Sequence, residues 1–166
     1  ALDDFRANMV REGEKALADL ANDDFAIAII SRPYNGPDRG INLDIPQKLN
    51  SLGVKVIPMD MLPLNTTEVQ TELPNMFWWF GHRVLSATKL IRNHPKLFPI
   101  YINNFACGPD SFALQYFLHL MGNKPNMILE IDEHSADAGI MTRAEAFVDS
   151  IRYLQKPQYS YTYNEQ

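Results

Sequence analysis

A single cysteine, Cys107, occurs in 166 residues. An internal disulfide is therefore excluded, and so is a metal or iron–sulfur site built from this chain's cysteines alone. Such thiol usage, with no signal-peptide pattern, fits a reducing compartment, and a cytoplasmic location is expected. Basic residues are also scarce, 15 Lys and Arg against 20 Asp and Glu, for a net charge of −5. That leaves no basic footprint for nucleic acid or for an anionic membrane surface. No apolar run reaches the length of a membrane span. The G-x-G-x-x-G and Walker patterns are both missing, so dinucleotide and P-loop readings lack support. Internal repeats and low-complexity tracts are absent too. What remains is the composition of one globular domain, 46% hydrophobic and 21% charged.

The apolar pattern divides that domain clearly. Leu2, Phe5, Met9, Leu17 and Leu20 recur near helical spacing, so residues 1–21 read as an amphipathic helix. Phe25–Ile30 is an uninterrupted apolar run, the mark of a strand buried on both faces. Further strands are read at Val54–Pro58, Phe98–Ile102 and Met127–Ile131. Helices fall between them: Asp44–Leu52, a turn near Thr67–Leu73, Phe77–Asn93 and Ser111–Met121, with a last one marked by Phe147, Val148, Ile151 and Leu154. Asp44 with Gln47, and Thr142 with Glu145, are spaced as capping boxes. Strands alternating with helices predict an α/β fold, an open, mostly parallel four-stranded sheet with helices on both faces, Rossmann-like or flavodoxin-like. Residues 1–154 make that single domain, the sheet and its helices occupying 25–154. The polar, tyrosine-rich stretch 155–166 reads as a tail or linker, and we expect a piece of a longer protein.

Two loops carry the chemistry. Asn103–Ser111 and Asp132–Gly139 each follow a predicted strand, and such loops converge on one crevice in parallel sheets. Cys107 lies just before a helix start, where a thiolate is stabilised, so it is a metal-binding or reactive thiol. The alternative is a small residue filling a strand–helix corner. Glu133, His134 and Asp137 concentrate acid–base groups in the second loop. His134 beside Glu133 suits general-base work or ligation, a backbone-bonded structural histidine being the alternative. Asp137 serves equally as a helix cap. Arg32, Tyr34 and Asn35 follow the first strand, and Arg32 is placed to pair an anionic ligand or a loop carboxylate, Glu133 being the obvious one, an arginine bonding loop carbonyls being the alternative. Asn103, Asp110 and Ser135 complete the candidate ligand-binding set. Trp78, Trp79 and Phe80 cannot all face one core, so one or two line a crevice or an interface, while Phe77 and Phe80 are assigned to packing. His82, His94 and His119 lack ligand spacing and read as surface or packing residues.

Arg32-Pro33-Tyr34, Gly40-Ile41-Asn42 running into Ile45-Pro46, Ser51-Leu52-Gly53, Cys107-Gly108-Pro109-Asp110 and Ile131-Asp132-Glu133-His134-Ser135 together resemble one family. It is the large bacterial CoA-substrate-specific enzyme activases, or activators of 2-hydroxyacyl-CoA dehydratases. The resemblance is to their domain of unknown function that follows the ATP-binding activator modules, and it spans about residues 25–154. It implies a non-catalytic domain of an electron-transfer protein in which a [4Fe–4S] cluster delivers low-potential electrons. Cys107 matches the cysteine of the family's Phe-Gly-Cys-Gly pattern, with Ala106 in place of the usual glycine. Ser31 likewise stands where the family often has glycine. Cys107 would then supply one cluster ligand in the full-length protein, and no cluster is expected on this piece. The implied partners are the ATP-binding modules and a cysteine-rich dehydratase-like part, with a homodimer as a candidate assembly. None of the ATP-binding motifs is present, so no ATPase activity is expected. Two other readings stay open: a small-molecule or acid–base enzyme using His134 or Glu133, and a module docking through Trp78 and Trp79.

Overall fold

The computed structural model describes residues 1–20, 25–132 and 137–156. The order of elements is α1 (Leu2–Asp19), β1 (Ala26–Ser31), α2 (Ile45–Ser51), β2 (Lys55–Pro58), a 3₁₀ turn (Met59–Met61), α3 (Thr66–Glu72), α4 (Trp79–Asn93), β3 (Leu97–Asn104), α5 (Gly108–Met121), β4 (Met127–Ile131) and α6 (Asp137–Leu154). The four strands pair in parallel in the order β2-β1-β3-β4. The predicted three-layer α/β architecture is therefore present.

Burial explains the central strand. Every residue of β1 is buried, as the apolar run required. Alternate residues feed two separate cores, because strand side chains alternate between faces. Ala28, Ile30 and Tyr101 pack with Val84, Ile91 and Phe117 under α4 and α5. Ile29, Ile100 and Ile102 pack with Leu49, Val148 and Ile151 under α2 and α6. On the first side, α1 crosses the 3₁₀ turn so closely that a Cβ on Gly13 would lie 1.8 Å from the Met61 carbonyl oxygen. Only glycine fits there.

The chain runs β1 to β2, then returns across β1 to β3 and on to β4. Strand order thus reverses between β1 and β3, whose carboxyl ends mark the crevice such sheets use for ligands. The third strand is longer than its apolar run, ending at Asn104. Its register with β4 carries Asn103 and Asn104 into the sheet, opposite Glu130 and Ile131.

Several local expectations are corrected. Asp44 precedes α2 but makes no side-chain cap, because its carboxylate takes both Arg39 donors. Helix α6 begins at Asp137, five residues ahead of Thr142, so Thr142 and Glu145 lie inside it and no capping box starts there. The helix read over residues 1–21 is present as α1, and two of its apolar positions, Leu2 and Phe5, are 61% and 60% exposed. Phe77, assigned to packing, is 84% exposed because α4 starts two residues later. Among the described residues no helix is long and apolar enough to cross a membrane. Residues 157–166 of the expected tail lie outside them.

Candidate functional site

Arg32 leaves the end of β1 in a tight turn, its carbonyl accepting from the backbone of Asn35 and Gly36. Across the crevice the chain leaves β3, turns at Ala106 and enters α5 with Cys107 as the residue before its first turn. Ala106 holds a left-handed φ of 55°, a conformation glycine adopts without strain.

These two turns bring three predicted residues together. Arg32 Nε donates to Asp110 Oδ1 at 2.8 Å, and Nη2 donates to Cys107 Sγ at 3.1 Å. The guanidinium also lies over the Phe80 ring, 5.3 Å from its centroid. Asp110 is buried, and its second oxygen accepts from the Asn104 backbone N–H at 3.3 Å. Burial alone would loosen the Arg32 proton, but the Asp110 hydrogen bond and charge reverse that and hold it above its ordinary range. Arg32 is thus a permanent cation with little freedom to swing away. Among the described residues the carboxylate it pairs is Asp110, in the first turn of the adjoining α5; the expected partner Glu133 lies outside them.

Beneath this cluster lies Tyr101, fully buried, its hydroxyl without a hydrogen-bond partner among the described residues. Burial first, then Asp110 and Cys107, push its ionisation well above the usual phenol range, with Arg32 opposing. Asn103, buried on the same side of β3, likewise leaves its Oδ1 unpartnered. Nearby, Trp78 meets Phe112 edge-on at 5.4 Å, and Trp79 lies under Arg83 at 5.0 Å. Both tryptophans remain about half exposed, so an aromatic surface flanks the amino ends of α4 and α5.

One residue further along β3, the side chains turn the other way. Asn104 Nδ2 donates to the Tyr34 hydroxyl at 3.0 Å, and its Oδ1 accepts from Asn35 Nδ2 at 3.0 Å. Asn104 borders a cleft of about 370 Å³, between the β1–α2 loop and the ends of β3 and β4. Tyr34 and Asn35 thus reach the crevice through Asn104, which sequence reading had not singled out. Tyr101 and Phe80 were also missed as site residues, the first because it sits within an apolar strand run. Glu133, His134 and Ser135 lie outside the described residues.

Among the described residues, no three His, Cys, Asp or Glu side chains gather as a metal site. The sole thiol fits one ligand position, and a [4Fe–4S] cluster takes four thiolates. Any cluster would draw its other ligands from outside these residues.

The model of a family described as CoA enzyme activase uncharacterised domain matches residues 1–62. That segment runs from α1 through the 3₁₀ turn and contains Arg32, Tyr34 and Asn35, but stops short of Cys107. No curated protein and no solved structure matches the chain. Over its first 62 residues, then, the chain is similar to the uncharacterised domain of CoA enzyme activases, in line with the resemblance read from its motifs.

Proposed function

We propose that this is a non-catalytic domain of an activase-like electron-transfer protein, in which Cys107 gives one thiolate to an iron–sulfur cluster. The remaining ligands would be cysteines of other parts of the parent protein. When bound, such a cluster supplies low-potential one-electron transfer. The observation that carries the reading is the Arg32 N–H donated to Cys107 Sγ. Arginine only donates, so the sulfur accepts, and hydrogen bonds to sulfur tune a cluster's potential. Asp110 and Phe80 hold the guanidinium still, so this donor keeps its aim. The half-exposed tryptophans beside it would meet the part of the protein that brings the other cysteines. With no phosphate-binding motif in the chain, ATP hydrolysis belongs to other modules.

The test is iron and acid-labile sulfide content on anaerobically purified full-length protein, wild type against Cys107→Ser. The reading predicts a cluster in the wild type and less iron, or an altered visible spectrum, in the variant. Equal content and an identical spectrum would assign Cys107 to packing. Iron-free protein in both cases would reject the reading.

A further inference from the structure

Aiming the Arg32 guanidinium does not require a charge at position 110. An amide or a hydroxyl would also accept from Arg32 Nε. The chain instead places a carboxylate there, 1% exposed, against a guanidinium that also donates to Cys107 Sγ. One planar group thus joins the Asp110 oxygen, at 2.8 Å, to the sulfur, at 3.1 Å. A buried ion pair adds little net stability over a well-packed neutral arrangement, because desolvating both charges offsets their attraction. What the pair does supply is an electric field at the thiol.

The surroundings keep that field strong. Phe80 covers the guanidinium with its ring centroid at 5.3 Å, and Tyr101 beneath is fully buried. Charges in such a setting are screened far less than charges on the surface. The Tyr101 phenol registers both of them: burial first pushes its ionisation up, Asp110 pushes it further, and Arg32 opposes. The pair Arg39–Asp44 closes at the same 2.8 Å, but its side chains are 69% and 33% exposed. It serves as the screened counterpart.

The signs follow from Coulomb's law. A one-electron reduction at a centre bound to Cys107 adds negative charge there. A neighbouring cation favours that step and a neighbouring carboxylate opposes it. Arg32 therefore raises the reduction potential, and Asp110 offsets part of the rise. Asp110 acts through Arg32, so it is a positioning residue.

We propose, resting on the cluster reading above, that Asp110 holds down the reduction potential of a cluster ligated by Cys107, its buried carboxylate countering the charge of Arg32.

The experiment is a redox titration of the anaerobically purified full-length protein, followed by electron paramagnetic resonance. Asp110→Asn keeps an acceptor for Arg32 Nε and removes the charge. At a fixed ambient potential it should raise the ratio of reduced to oxidised cluster about tenfold, about 59 mV for one electron. Arg32→Gln removes the opposite charge and should lower that ratio by a similar factor. A merely structural disturbance gives no reason for opposite signs, and each variant tests the proposal by its own sign. Asp44→Asn, at the exposed pair, should leave the ratio within about twofold of wild type. An unchanged or lowered ratio in Asp110→Asn would overturn the proposal while leaving the cluster reading intact. So would an unchanged or raised ratio in Arg32→Gln, or a shift in Asp44→Asn as large as that in Asp110→Asn. Wild-type protein without a cluster would reject the cluster reading, and this proposal with it.

Discussion

The two sides of the β3 terminus differ by one residue in sequence and by much in character. Toward α4 and α5, Tyr101 and Asn103 lie under a charge pair: Arg32, four-fifths buried, against Asp110, 1% exposed. Toward α2 and α6, Asn104 opens on a cleft, and the ion pair of the adjoining loop, Arg39 with Asp44, is 69% and 33% exposed. Both pairs close at 2.8 Å, so distance does not distinguish them. Burial does. A strand end that alternates its side chains can serve a dry, charge-locked site on one face and an open one on the other.

The largest expected effect comes from breaking the buried pair. Asp110→Ala leaves Arg32 without its carboxylate, and its partial exposure puts the loss at the low end, about 3 kcal/mol. Urea denaturation followed by circular dichroism would show it as a lower midpoint with an unchanged slope. A midpoint near that of the wild type would erase the distinction between the two faces.

A second contrast lies at the far end of α4, where Lys124 donates to the carbonyls of Ile91 and His94, with no carboxylate paired to it among the described residues. Burial first, then repulsion from Arg92, lowers its pKa to about 8 despite those acceptors. The unfolded chain therefore holds more protons than the folded one between about pH 8 and the ordinary lysine value near 10.5. Stability should rise with pH across that window, and the rise should vanish in Lys124→Met. Midpoints measured at several pH values in both proteins check the sign.

Smaller effects test the turns. Ala106→Gly relieves a left-handed alanine and should stabilise the fold by about 1 kcal/mol or less, read as a raised melting temperature. Arg39→Ala, at the exposed pair, should leave the urea midpoint within measurement error. A marked loss in Arg39→Ala would mean that the strained loop depends on that pair more than its exposure suggests.

Much of this fold is legible in the chain, because its strands are short apolar runs flanked by Pro, Gly and Asn. The strand at Met127–Ile131 falls where its pattern placed it. The end of β3 is not legible, since Asn103 and Asn104 are polar and pair with β4 only through register. The meeting of Arg32 with Cys107 follows from where strand ends lie. Its lock by Asp110 does not, because the spacing of the sequence does not say that the first turn of α5 carries this carboxylate to the end of β1. Leu2 and Phe5 show the same limit from the other side: helical spacing marks an apolar face without saying that anything covers it.

The most direct test of the Cys107 assignment is the electron paramagnetic resonance spectrum of the reduced full-length protein, wild type beside Cys107→Ser. The account predicts a cluster signal whose g-values change when oxygen replaces sulfur at that ligand. An identical signal in both proteins would contradict it.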